Sequence, residues 1–425
     1  MIYNKNVRIN FSKKDEIILD SQSKICNWLY NRLFEIVEED YKNGNEQKLL
    51  SGRNLRDLVP MLKEEKPFLK AVHSSPLKNT ALRLLEAYKK FFRGECEHPH
   101  FRSWTKKWFS LYFDESKKGF KLLGDNILKI SLGKSEEGKL QSVTGKFEEP
   151  FKLSDDEKIK TCRVCKGQGK QFYITFTIEK IDRKPKEIKT WLSIDPNHKN
   201  LFVAIDNEGN TFEFVKPSII KYWDTQIDII KSKRDKCKRK AKLIVREQGA
   251  NYYLPSKRWI KLNNALNKAY NFRREQIKQM SFRIGNYIAK QYDLVVIGDY
   301  APSLEVATYD NMHRSMLNQT NIGTVRKTIV WCMTKGGKVG ITQDERNTTK
   351  TCCICGKQEK KNPEIREFTC SECGTHIHRD INSAINIVKK ANILKKVESN
   401  WQISKPIYEL VWNFKKCEII KIKIA

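Results

Sequence analysis

The chain has 425 residues, 39% hydrophobic and 31% charged, a balance that fits two or three folded lobes and excludes a disordered chain. Lys and Arg number 81 against 50 Asp and Glu, a net charge of +31. Such an excess repels itself in a compact fold unless a polyanion neutralises it, and nucleic acid gains affinity with each phosphate contact by releasing counterions. The opening MIYNKNVRINFSKKDE lacks the apolar core of a signal peptide, and no apolar run reaches bilayer length. The expectation is a soluble intracellular protein with no membrane partner. The 12 cysteines are mostly scattered, as reduced thiols are, rather than paired as a disulfide framework.

In chain order, residues 1–12 alternate loosely and read as a strand. Residues 20–48 and 77–93 carry helical spacing, through Ile25, Leu29, Leu33 and Ile36 and then Leu82, Leu85 and Tyr88. From Phe101 to about Glu179, short strand-like runs (SLYF, LKISL, FYITFTI) alternate with Gly- and Lys-rich turns. Cys162 and Cys165 fall in one of these strands and, with no partner pair nearby, read as strand cysteines. The polar stretch IDRKPKEIK, 181–189, is a linker. WLSID, LFVAIDNEGN and FEFV then form a three-strand meander, with Asp195 ending its first strand. Long basic helices follow over roughly 220–290. KSKRDKCKRKAK, 231–242, reads as a nearly continuous positive run on a helix, either a solvated face or a strip that tracks phosphates. LVVIGDY, 294–300, is a strand buried on both faces. Residues 321–335 are helical, GKVGIT is another strand, and INSAINIVKKA is a helix with Ile381, Ala384, Ile385 and Val388 on one face. Strands followed by helices after an antiparallel start give an α/β class with a mixed sheet.

Cys352-x-x-Cys355 and Cys370-x-x-Cys373 are separated by 14 residues, 356–369, and each pair is followed by Gly. Four thiolates on two glycine-supported knuckles suit one tetrahedral, structural Zn²⁺. Cys353 is an extra thiol that should point away from the metal. His376 and His378 follow too soon after Cys373 to be needed.

Three carboxylates stand at places where strands and helices hold side chains rigidly: Asp195, Asp299 or a neighbour at the end of LVVIGDY, and Asp380 at the start of the last helix. Taken singly, each is more simply a cap or turn residue. Their order, with the zinc motif just before the last, is what raises them. Two-metal phosphodiester hydrolysis needs two or three carboxylates around ions roughly 4 Å apart.

The series SIDPNHKNLFVAIDNEG, a basic helical hairpin, VVIGDY, NTTKTCCICG…FTCSECG and HRDINSAINI resembles the TnpB, Fanzor and compact type V CRISPR effector group over about residues 190–395. HPHFRSWTKKWFSLYF is similar, less specifically, to that group's basic-aromatic stretch. The resemblance implies an RNA-guided DNA endonuclease with guide RNA and double-stranded DNA as partners and two Mg²⁺ and one Zn²⁺ as cofactors. It acts in a bacterial cytoplasm or nucleoid, or in a nucleus if the source is eukaryotic. The implied fold is an RNase H-like (RuvC) core at 190–347 and 375–395, with a zinc ribbon inserted at 348–374. A β-rich wedge domain at 1–18 and 98–185 encloses a helical recognition insert at 19–97, and 396–425 is a C-terminal tail. Gly298 stands where the group usually has a metal-binding Glu. Some members carry a replacement on the next strand, which here is Glu345; Asp299 is the runner-up and Asp344 third. Asp195 would then bridge both Mg²⁺ ions, with Glu345 and Asp380 holding one each. Phosphate contacts are expected from Arg102, Lys106, Lys107, Lys231, Lys233, Arg234, Lys238, Arg239 and Lys240. Two other classes compete: a nuclease-dead, RNA-guided repressor, favoured by Gly298, and a zinc-ribbon nucleic-acid-binding protein without a guide.

Overall fold

The computed structural model describes residues 1–44, 48–51, 53–103, 107–135, 137–167, 171–181, 187–197, 200–215, 217–238, 242–245, 252–300, 321–360, 365–394 and 405–424. The chain forms two compact units, Met1–Ile181 and Asp182–Ala425. No helix among the described residues is long and apolar enough to cross a membrane.

The first unit is a seven-stranded antiparallel sheet with a helical run between its first two strands. Strand β1 (Ile2–Phe11) is followed by α1 (Lys13–Lys42), α2 (Asn54–Glu65) and α3 (Ser74–Phe92). Then come β2 (Leu111–Phe113), β3 (Phe120–Leu123), β4 (Ile127–Lys134), β5 (Leu140–Phe147), β6 (Glu157–Lys166) and β7 (Phe172–Lys180), in spatial order β2-β6-β7-β1-β5-β4-β3. Helix α1 begins seven residues earlier than apolar spacing indicates (13 against 20). Its first turn is polar, and the start is set by Ser12, whose side chain accepts from the Asp15 backbone N–H. Burial alternates along β7, with Phe172, Ile174, Phe176 and Ile178 all inside. Cys162, on β6, is fully buried and opposite Phe176. Gly133 lets β4 approach the Lys70–Val72 backbone so closely that a Cβ there would overlap it.

The second unit is a mixed sheet of seven strands. It contains β8 (Trp191–Asn197), β9 (Leu201–Asp206), β10 (Thr211–Val215), β13 (Leu294–Gly298), β14 (Val339–Gln343), β17 (Tyr408–Asn413) and β18 (Glu418–Lys423); β11 (Lys242–Ile244) pairs separately with β12 (Tyr252–Leu254), and β15 (Glu367–Thr369) with β16 (His376–His378). The order is β14-β13-β8-β9-β10-β17-β18. Strands β8, β13 and β14 run parallel to one another, and β8, β9 and β10 form the antiparallel meander. Residues of α5 (Lys257–Gln291) and α6 (Ile322–Lys335) pack on one face with Leu192, Ile194, Phe202, Phe214, Val295 and Ile297. On the other face, α7 (Arg379–Lys390) packs with Trp191, Val203, Ile205, Leu294 and Val296. A burial period of two along each strand thus assigns Asp195, on the parity of Trp191, to the α7 face.

Three expectations need correction. Strand β8 runs two residues past Asp195, to Asn197, because Pro196 and Asn197 continue pairing with β9 after the β13 partner register has ended at Ile194. The basic run 231–242 is not one helix: α4 (Ser218–Lys238) carries its first part, and Lys242 lies in β11. The stretch 396–425 is not a mere tail, since β17 adds parallel to β10 and β18 closes that edge. Its alternating YELVWN buries Leu410 and Trp412 in the core.

Candidate metal centres

The cysteine motifs fold as two similar knuckles. In each, a glycine with positive φ follows the second cysteine (Gly356 at 79° and Gly374 at 68°) and donates its N–H back to the first, Cys352 O and Cys370 O, at 3.0 Å. The four Sγ atoms lie within 4.8 Å of one another. Cys352 and Cys373 approach to 3.7 Å and Cys355 and Cys370 to 3.6 Å. Sulfurs bound tetrahedrally at ~2.3 Å from Zn²⁺ stand about 3.8 Å apart, so this set fits that ion. Cys353 turns the other way and is buried against Ile377 and Ile381. His376 is exposed, engaged by Thr369 and Glu367.

Helix α7 holds this ribbon to the sheet. Asn382 and Asn386, one turn apart, each donate to the Thr351 carbonyl, at 2.8 and 2.7 Å, while Asn382 Oδ1 accepts from Cys353 N at 2.8 Å. Asn386 also donates to Thr348 O at 2.8 Å. Ser193 of β8 donates to Ala384 O at 2.5 Å, fixing the same helix on the strand that carries Asp195.

Asp195, Glu345 and Asp380 converge beside α7. Asp195 is 8% exposed and Asp380 4%. Burial pushes the Asp195 carboxyl well above its usual range, and the nearby Asp380 and Glu345 charges push it further; the Ser383 hydrogen bond (2.9 Å) and Arg379 oppose this. Glu345 is pushed up to about 7, chiefly by burial, against a hydrogen bond from the Tyr300 backbone. Its Oε2 is buried and has no hydrogen-bond partner among the described residues. A Cβ on Gly298 would overlap that oxygen and crowd Pro196 Cδ at 3.0 Å and Ile387 Cδ1 at 3.2 Å. The Glu345 carboxylate therefore reaches from the neighbouring strand end into the space above Gly298. Asp380 lies in the first turn of α7, where the helix N-terminus favours its charge, and accepts from Arg366 at 2.5 Å and Arg379 at 3.1 Å.

Asp299 and Asp344 stand differently. Asp299 Oδ1 accepts from the Glu345 backbone N–H at 3.3 Å, so it buttresses Glu345. Asp344 is exposed and pairs with Lys390 at 2.8 Å, which holds its carboxyl below the usual range. The buried oxygens of Asp195 and Glu345, one of them orphaned, are a hard all-oxygen donor set that suits Mg²⁺ rather than a softer metal. Sequence reasoning missed Ser383, Thr348, Asn382, Asn386, Arg366 and Arg379. The two asparagines left a trace: poor helix formers four apart, on the polar margin of an otherwise apolar helix.

Of the expected phosphate contacts, Lys107, Lys231 and Lys233 are exposed. Arg234 is engaged, donating to Asp235 at 2.8 Å and Asn263 at 3.2 Å. Arg102 is half-buried against Tyr30 and Phe109. Lys106, Arg239 and Lys240, and the Lys238 side chain, lie outside the described residues.

A family model described as Cas12f1-like, TNB domain, matches residues 323–387, from α6 through the ribbon into α7. TnpB-like proteins L79 and R854 of Acanthamoeba polyphaga mimivirus are each 28% identical over 140 residues, 32% of this chain. The match covers 27% and 26% of their own lengths, so the chain spans only about a quarter of these curated relatives. Among solved structures, the Cas12f1 chain of a Cas12f1–sgRNA–target DNA complex matches with a TM-score of 0.57 at 15% identity, over 89% of this chain and 83% of that one. That is a likeness of fold. In its motifs and its fold the chain resembles the TnpB and compact type V effector group.

Proposed function

We propose that this protein is an RNA-guided DNA endonuclease that cuts double-stranded DNA beside a short adjacent motif. Asp195, Glu345 and Asp380 hold two Mg²⁺ ions in an RNase H-like core, and the four cysteines hold one structural Zn²⁺. The observation that carries this reading is the Glu345 carboxylate filling the space over Gly298 beside Asp195. A third carboxylate is thus delivered to the site although the strand that usually supplies it ends in glycine.

When bound, Mg²⁺ polarises the scissile phosphate and lowers the pKa of its water. The chain's own groups prepare that site. Ser383 fixes one oxygen of Asp195, and the Thr348 hydroxyl lies 2.9 Å from Ser383 and 2.7 Å from the Glu345 carbonyl, linking the two carboxylate-bearing segments. Burial makes Asp195 and Glu345 costly to ionise, a cost that a divalent cation would remove. Arg366 and Arg379 orient Asp380, and their guanidiniums suit an anionic phosphate beside it. The +31 charge matches a polyanionic guide and target, and base pairing to the guide would read the target sequence. In this reading 1–18 and 98–185 serve as the wedge, 19–97 as the recognition insert and 348–374 as a ribbon that contacts target nucleic acid.

The test is to purify the protein, sequence the RNA that accompanies it, and assay Mg²⁺-dependent cleavage of matching DNA. One defined RNA and RNase-sensitive cleavage are expected. Random cellular RNA with RNase-insensitive cleavage would refute guidance. Guided binding without cleavage would make the protein a repressor.

A further inference from the structure

The first unit contains a group of arginines that no acid balances among the described residues. Arg83, on α3, is half-buried, stacks its guanidinium on the Phe109 ring at 4.6 Å and donates to Ser110 at 3.0 Å. Arg102 lies on the same ring at 4.9 Å and on Tyr30 at 5.4 Å. Arg163, on β6, lies over Tyr112 at 5.2 Å. Among the described residues none of the three has a carboxylate partner. Burial, and then the charges of Arg163 and Arg102, push Arg83 down to about 10. Arg163 is exposed, but Arg83 and Arg102 are half-buried, and a half-buried guanidinium normally carries a counter-ion because charge taken from water is costly unless paired.

Arg102 also lines a cavity of about 590 Å³ with Tyr30, His98, His100, Phe101 and Lys107, and with one acid, Glu97. That volume lies within the ~300–1,000 Å³ range of small-molecule sites. The wall is built in advance. Asn31 of α1 accepts from Arg102 N at 2.8 Å and donates to Arg102 O at 3.1 Å, and Asn27 accepts from Arg102 Nε at 3.2 Å. Phe101 packs edge-on against Phe34 at 4.9 Å yet stays 55% exposed. An aromatic face is thus held open beside a guanidinium whose terminal nitrogens have no hydrogen-bond partner among the described residues.

We propose that this cavity binds one unpaired nucleotide of a nucleic-acid strand, its base against Phe101 and its 5′ or 3′ phosphate on Arg102, with Lys107, Arg83 and Arg163 adding positive charge. A paired base cannot enter such a recess, whereas a single-stranded one can leave its neighbours and stack on a ring. The inference rests on the nucleic-acid part of the proposed function and adds a defined subsite to it.

The test is fluorescence anisotropy of the full-length chain, freed of RNA, with single-stranded RNA, single-stranded DNA and duplex DNA of one sequence across a salt series. Arg102→Gln is expected to weaken both single-stranded probes about tenfold and to flatten the salt slope by ~0.7 for the lost contact. Phe101→Ala is expected to weaken them at least fivefold with an unchanged slope, as loss of ~1–3 kcal/mol of stacking predicts. Duplex binding should follow the exposed control Lys118→Gln. Arg83→Gln should behave like Arg102→Gln where circular dichroism shows it folded, and Arg102 and Phe101 carry the test without it. An RNA effect without a DNA effect assigns the nucleotide to RNA. Single-stranded binding by Arg102→Gln and Phe101→Ala equal to the control overturns the subsite, as does an equal loss on duplex. If the wild type cuts guided DNA in either case, the nuclease reading stands. A wild type that binds no probe overturns both.

Discussion

The Glu345 carboxylate occupies the volume that a side chain on Gly298 would fill. Gly298 ends β13 and Glu345 follows two residues after the end of β14, its parallel neighbour, the two strands being paired in register through Gly298 and Gln343. Glycine at 298 is therefore a condition for Glu345 standing where it does, and under the proposed function this pair decides which carboxylates would hold metal.

Glu345→Ala and Glu345→Gln are expected to lower DNA cleavage by at least about 100-fold and leave guide-dependent DNA binding intact, as are Asp195→Ala and Asp380→Ala. Gly298→Ala should displace the Glu345 carboxylate and reduce cleavage about tenfold or more. Cleavage and filter-binding assays on the same preparations measure both. A fully active Gly298→Ala protein would show that Glu345 does not work from this position.

Asp299 accepts from the Glu345 backbone N–H and makes no described contact with Asp195. Asp299→Ala should cost about 1 kcal/mol of local stability and leave cleavage within roughly tenfold of wild type, a loss of no more than ~1.4 kcal/mol in the barrier. A folded but inactive Asp299→Ala protein, alongside an active Glu345→Ala protein, would reverse the assignment.

The pH dependence of the metal-free protein follows from the raised carboxyls. A group whose folded pKa lies above its unfolded value contributes stability below the unfolded pKa and loses it as pH rises through the folded one. For Glu345 that window runs from the usual 4.5 to about 7, and Asp195 adds in the same direction. Thermal stability without metal should fall between pH 5 and 8 by an amount on the order of 2–3 kcal/mol, several degrees in Tm. Glu345→Gln should flatten this fall. Added Mg²⁺ should raise Tm more at pH 8 than at pH 5, and a pH-independent Mg²⁺ shift would count against these ligands.

Elemental analysis should find one Zn²⁺ per chain. Cys352→Ser with Cys370→Ser should remove it and destabilise the ribbon, measured as protease sensitivity near residues 348–374. One full equivalent of zinc in that double variant would disprove the site.

Asn382→Ala and Asn386→Ala leave the carbonyls of Thr348 and Thr351, both at least half-buried, short of donors. Each should cost about 1–3 kcal/mol. Because these amides seat the ribbon on the helix that carries Asp380, cleavage should drop while zinc content stays at one equivalent. Unchanged Tm would show the bonds to be dispensable.

Much of this was set by local sequence. The C-x-x-C-G spacing alone draws two sulfurs per knuckle together, since a turn of five residues is determined by its own backbone. Continuous apolar runs such as LVVIG specify strands buried on both faces. Parity places Asp195 on the α7 face and sets Val339 and Ile341 on one side of β14, because side chains alternate wherever a strand is regular; Glu345 lies two residues beyond that strand's end. Tertiary structure decided what depends on residues far apart. That Glu345 meets Gly298 follows from the register of β13 against β14, which hydrogen bonds between strands fix and no local pattern encodes. That Ser383 meets Asp195, 188 positions away, follows from α7 packing across the sheet. The strands in 396–425 were hidden for the same reason: YELVWN and EIIKIK are short, and only the free edge of β10 turns them into part of the core sheet.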